Sequence, residues 1–190
     1  MRHEANRVLG PPPGTSSIDF ETLFRQQFSY VFRTLRRLGV RPAEVDDLVQ
    51  EVFTVVFRRL ADYDPSRPIE PWLFGIAFRT ASVHRRTLSR RIVEVFAESD
   101  DFRDDDATGP EVAAADRQAR HMVLEGLEAL DLDHRAVLIL HDIEGQVVPK
   151  IAETLGVPIN TVYSRLRTAR AKFATRVRRL RRRQGEEEAQ

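Results

Sequence analysis

The 190-residue sequence contains no cysteine, which excludes disulfides, thiolate nucleophiles and cysteine-held metals. No apolar run approaches membrane-spanning length, and no apolar stretch of signal-peptide length opens the chain. A soluble, cytoplasmic protein without direct membrane insertion is therefore expected. Strand-like alternation of apolar and polar residues is missing throughout, so the fold class expected is all-α. A glycine-rich phosphate loop and a nucleophile elbow are also missing, and nothing calls for a cofactor or an enzyme's machinery. His134 and His141 stand seven apart beside Asp133 and Asp142 but have no third close ligand, so no metal site is expected. An excess of charge of either sign is lacking too, with 30 basic against 29 acidic residues.

That balance hides a segregation. Arg and Lys crowd the segment from Arg165 to Arg183, while acids crowd Glu94 to Glu111 and close the chain at Glu186 to Glu188. Segregated charge of this kind suits a polyanionic partner at one end and an acidic linker in the middle.

The stretch from Gln146 to Phe173 organises the rest. Ile151, Ala152 and Leu155 form a short apolar stripe, with Pro149 suited to the first helical turn and Gly156 to its end. Pro158 prevents the first helix from continuing, and Asn160 or Thr161 is expected to cap the next. There Val162, Leu166, Ala169, Phe173, Val177 and Leu180 share one face by steps of three and four. The opposite face carries Asn160, Ser164, Arg167, Thr168 and Ala171, flanked by Tyr163 and Arg170 on one side and by Thr161, Arg165 and Lys172 on the other. An apolar inner stripe with hydroxyls, an amide and guanidinium groups outside suits a helix lying in a DNA major groove. Two short helices with a glycine in the turn form the helix-turn-helix arrangement. An ordinary helical hairpin with a solvated basic face would share this pattern, so the remainder of the chain must decide.

Residues 1–17, with Pro11 to Gly14 and little to bury, are expected to be a disordered tail. A helix from Ile18 to Leu38 is expected to bury Phe20, Leu23, Phe24, Phe28, Val31, Leu35 and Leu38. A second, opened by Pro42, turns Val45, Leu48, Val49, Val52, Phe53 and Val56 inward. Asp47, Gln50, Glu51 and Thr54 form an acidic-polar ridge on its other side, either a solvated face or a dock for a basic partner. Residues 62–68 form a loop in which Tyr63 is an exposed base-stacking candidate or else a lid on the core. A third helix from Pro71 is expected to bury Trp72, Leu73, Ile76, Ala77 and Val83, with Gly75 permitting a close approach. Its end is basic through Arg79, His84, Arg85, Arg86, Arg90 and Arg91. Periodicity breaks over 94–110, read as a flexible acidic linker. Two more helices then precede the helix-turn-helix, the second capped by Asp131 or Asp133 and ended by Gly145. The expected units are 18–93 and 111–183, with an acidic tail over 184–190.

Two all-helical modules, an acidic linker and a terminal helix-turn-helix resemble a bacterial sigma factor of the extracytoplasmic-function (ECF) group. DDLVQEVFTVVFRRLADYDPSRPIEPWLFGIAFRTA is similar to region 2, and ALDLDHRAVLILHDIEGQVVPKIAETLGVPINTVYSRLRTARAKF to region 4. The resemblance implies two main partners, core RNA polymerase (clamp helices and flap) and promoter DNA, with an anti-sigma factor as a third. It implies polymerase contacts at Asp46, Asp47, Gln50 and Glu51. It implies minus-10 contacts at Tyr63, Asp64, Ser66, Arg67, Arg79, His84, Arg85 and Arg86. Base contacts in the minus-35 element would fall to Tyr163, Ser164, Arg167 and Thr168, and phosphate contacts to Thr161, Arg165 and Arg170. The sequence departs from the family pattern at Gly75 and Phe78, at Val147 to Lys150, and at Tyr163, often a basic position in relatives. Two other readings are a helix-turn-helix regulator independent of polymerase and a degenerate sigma acting only as an interaction protein.

Overall fold

The computed structural model describes residues 19–91 and 112–187, and it is helical throughout. The expected tail over 1–17 and the expected linker over 94–110 lie outside the described residues. Three helices form the first half: α1 (Phe20–Leu38), α2 (Pro42–Arg59) and α3 (Ile69–Arg91), with a 3₁₀ turn, Leu60–Asp62, after α2. The second half holds α4 (Val112–Glu128), α5 (Leu132–Leu138), α6 (Val148–Leu155) and α7 (Ile159–Glu187). A π-helical turn, Ile139–Ile143, extends α5.

Local signals place most boundaries. Asp19 caps α1 by accepting from the Thr22 N–H, and Gly39 ends it with φ 91°. Of the two aspartates able to cap α5, Asp131 does so, accepting from the His134 N–H. Gly145 and Gly156 take φ 68° and 67°, as stops require. The expected cap of α7 is corrected. The helix begins at Ile159, and the Pro158 carbonyl accepts from Thr161 and Val162, so Asn160 and Thr161 lie inside the first turn. The expected acidic tail is also shorter, because α7 runs through Glu187.

All six inward residues expected on α2 are buried. On α1 the stripe is confirmed at Leu23, Val31, Leu35 and Leu38, but Phe28 is exposed at its edge. There Phe20, Phe24, Phe28 and Phe32 run as a ladder of aromatic contacts. Val83, expected in the core, is exposed, and Phe74 is fully buried in its stead.

The halves are packed together, α1 against α4 and α5, and α3 against α6. One continuous set of buried apolar side chains runs through both.

Candidate nucleic-acid and polymerase interfaces

Four exposed side chains, Asp46, Asp47, Gln50 and Glu51, lie along the outer face of α2. Among the described residues none of the three carboxylates has an ion-pair partner. The helix fixes them through the six buried residues on its other side, so the acidic ridge is rigidly presented and uncompensated.

The loop after α2 differs from expectation at Tyr63. Its ring is buried against Trp72, with centroids 5.1 Å apart, and its hydroxyl donates to the Arg67 carbonyl. Tyr63 is therefore the lid of the core and a brace for the loop, not an exposed stacking platform. The reason is the apolar wall of α3, which offers an aromatic ring more burial than solvent does. The loop is further shaped by Asp64, which accepts from the Ser66 N–H at 3.0 Å and hydroxyl at 2.7 Å. Arg67 leaves the loop and pairs with Glu153 of α6 at 2.7 Å.

The basic face of α3 is likewise partly engaged. His84 is turned inward, with Nε2 3.2 Å from the Glu44 carboxylate, rather than toward a strand. Arg41 and then His84 hold the Glu44 carboxyl below its usual range. Arg79 lies over Gly75, and burial, then its neighbour Arg59, disfavours its charge. Arg85 and Arg86 are exposed. Gly75 does permit a close approach: a Cβ there would lie 3.3 Å from the Thr154 carbonyl of α6.

In the helix-turn-helix, Val162, Leu166 and Ala169 bury the inner stripe of α7 against α5 and α6. Tyr163, Ser164 and Arg167 are exposed, and Thr161 and Thr168 are half-buried. Arg165 and Arg170, expected to hold phosphates, are already paired. Arg165 meets Asp133 of α5 at 2.5 Å, and Arg170 makes a fork with Asp142 of the π turn at 2.9 and 2.5 Å. That fork, and then His141, keeps the Asp142 carboxyl below its ordinary range. The aspartates that looked like possible metal ligands in the sequence thus hold guanidinium groups. Arg167 has no ion-pair partner among the described residues, so its guanidinium is the free one at the centre of the face. The sequence gave no sign of these pairs, since their members lie 28 to 86 positions apart.

Residues 23–91 match the Sigma-70 region 2 family, and residues 120–173 match the Sigma-70, region 4 family. The RNA polymerase sigma factor CnrH of Cupriavidus metallidurans is 32% identical over 181 residues, covering 90% of this chain and 93% of that one. The chain belongs to the extracytoplasmic-function sigma factors. The ECF RNA polymerase sigma-E factor of Escherichia coli is 30% identical, over 76% of this chain and 79% of its own. A solved structure of CnrH in complex with the cytosolic domain of CnrY shares 31% identity, covers 82% and 85% of the two chains and has a TM-score of 0.54. A co-crystal structure of the sigma factor RpoE with the anti-sigma factor NepR from Bartonella quintana, at 19% identity and TM-score 0.66, shares the fold over 84% of this chain and 97% of that one. The function is that of the family, directing transcription initiation. Among the described residues no helix of this sigma factor is long and apolar enough to cross a membrane.

The two regions of the sigma factor meet around Tyr30, whose hydroxyl lies 3.1 Å from both Glu144 carboxylate oxygens and from the Glu70 carbonyl. Burial pushes the Glu144 carboxyl above its usual range; the Tyr30 hydrogen bond and Arg37 pull it back, and Glu70 adds to the rise. Burial, then the Glu144 charge, raises the Tyr30 hydroxyl well above its ordinary range. A carboxyl whose pKa is higher folded than unfolded binds its proton more tightly when folded. Its contribution to stability therefore grows as pH falls through the raised value, and is complete below the unfolded value. Wild type is expected to gain stability relative to Glu144→Gln on acidification from neutral pH through that window. Urea unfolding at a series of pH values measures this, and a pH-independent difference would contradict it.

Proposed function

We propose that this sigma factor binds core RNA polymerase through the α2 ridge and reads the promoter with two faces, one on each region. Asp46, Asp47, Gln50 and Glu51 meet the basic side of the clamp helices. The loop Asp64, Ser66 and Arg67 receives an unpaired minus-10 base, braced from beneath by Tyr63. Extruding a base costs a few kcal/mol, which loop contacts must offset, so a pre-shaped loop favours capture. Arg79, Arg85 and Arg86 hold strand phosphates, and His84 steadies α3 against α2 through Glu44. Region 4 reads the minus-35 duplex with Tyr163, Ser164, Arg167 and Thr168, while Thr161, Arg165 and Arg170 lie at its flanks toward the phosphates. The flap of polymerase and an anti-sigma factor are its remaining partners. The protein acts in the cytoplasm and is not itself an enzyme.

The observation that carries this reading is the coexistence on one chain of an unpaired acidic ridge and a reading helix with one unpaired central arginine. The test is run-off transcription with core polymerase on fragmented DNA from the protein's own source. Defined start sites sharing upstream motifs support the reading. Polymerase binding without new starts would instead make the protein an interaction module, and no polymerase binding would leave a plain DNA-binding regulator.

Arg167→Ala is expected to weaken minus-35 duplex binding by about 1–3 kcal/mol and relax base preference at one position, as loss of a bidentate contact to guanine does. Fluorescence anisotropy on single-base duplex variants measures this. An unchanged preference would remove Arg167 from the reading set.

A further inference from the structure

Three separate features of α6 and its neighbours converge on the face assigned above to the minus-10 strand. Glu153 takes Arg67, the cation of the base-capturing loop, at 2.7 Å, while Lys150 holds the same carboxylate at 3.0 Å. One residue on, the Thr154 carbonyl sits in the notch left by Gly75. That carbonyl is one of the last of α6, and the bonds that close the helix use Ala152 and Glu153, not Thr154. The final carbonyls of a helix carry partial negative charge. The Arg79 guanidinium crowds the same notch, 3.0 Å from where a Gly75 Cβ would stand, and is half-buried without an ion-pair partner among the described residues. Farther along the contact, Tyr30 donates to Glu144, and Arg135 lies on Gly39 at the end of α1.

The carboxylate of Glu153 and the carbonyl of Thr154 thus occupy the two cations that would otherwise meet phosphate oxygens. We infer that in the free chain α6 docks on the minus-10 face of region 2 and substitutes for the DNA strand there. Unpaired DNA reaches Arg67 and Arg79 only after region 4 has moved away. The inference rests on the minus-10 reading of this face. It also accounts for the glycine at position 75: any larger residue would keep the Thr154 carbonyl out of the notch.

The test uses the full chain, whose lack of cysteine allows a dye pair at two introduced thiols, Arg58→Cys on α2 and Thr175→Cys on α7, both exposed positions. Energy transfer between the dyes is measured in the free protein, alone and with Gly75→Val or Glu153→Gln added. Gly75→Val leaves charge unchanged, and Glu153→Gln leaves the notch unchanged. Binding of a labelled single-stranded DNA oligonucleotide pool is measured on the same proteins. Efficient transfer in the parent, lower transfer in both variants, and single-strand affinity raised at least about tenfold would support the docking, as expected when the competent fraction rises from a tenth to most of the population. Equal transfer in parent and variants would overturn the docking and leave the minus-10 reading standing. Reduced transfer without a gain in single-strand affinity would overturn the substitution for DNA. Arg67→Ala in the holoenzyme then separates the two readings, because loss of promoter opening there keeps the minus-10 assignment alive.

Discussion

Asp47→Arg is expected to cost about 2–5 kcal/mol of core polymerase affinity, at least roughly thirty-fold in Kd, while minus-35 duplex binding stays unchanged. Asp47 stands at the middle of a ridge with Asp46, Gln50 and Glu51, all exposed and none of the acids ion-paired among the described residues. Reversal places a cation against a basic partner surface and removes an acceptor at the same time. Folding is not expected to suffer, because the side chain is exposed and lies outside every buried contact of α2. Glu21→Arg makes the same charge change on α1, outside the ridge, and is expected to leave polymerase binding intact. Titration of labelled protein with core polymerase, paired with a duplex-binding measurement, decides the matter. If both variants bind polymerase like the parent, the α2 ridge is not the docking surface.

How far the sequence carries this picture depends on the range of the interactions. Helix positions follow from caps, stops and period, all local, and Asp19, Gly39, Gly145 and Gly156 sit where those signals put them. The acidic ridge is legible for the same reason, since residues three and four apart on a helix must share a face. What is not legible is the pairing of distant charges. Arg165 and Arg170 look like free phosphate anchors until Asp133 and Asp142 are brought beside them by packing of α5 and its π turn on α7. The same holds for Arg67 with Glu153 and for Tyr30 with Glu144, which lies 114 residues away. Tyr63 illustrates a third case. Its loop composition announces exposure, yet one ring contact with Trp72 is enough to bury it.

The burial of α3 sets the other large expected effect. Phe74→Ala should destabilise the chain by about 3–5 kcal/mol, on the order of 10 °C in melting temperature, whereas Val83→Ala on the same helix should stay within about 0.5 kcal/mol of the parent. A period-3.6 reading favours Val83 and passes over Phe74, because it assumes that one face of the helix meets solvent. Near its start α3 has no such face: Leu73, Phe74, Gly75, Ile76 and Ala77 are buried in succession. The helix packs on α1 and α2 from one side and on α6 from the other. A helix enclosed in this way is apolar all round, and its periodicity no longer says which residue fills the centre. Removing the Phe74 ring leaves a cavity walled by close-packed side chains that relax only partly, so the loss exceeds that of the transferred surface alone. Val83, at 57% exposure, has little packing to lose. Thermal unfolding of the two variants beside the parent measures both. Equal, small losses would mean that α3 is not enclosed as described, and with it the contact between α3 and α6 would fall.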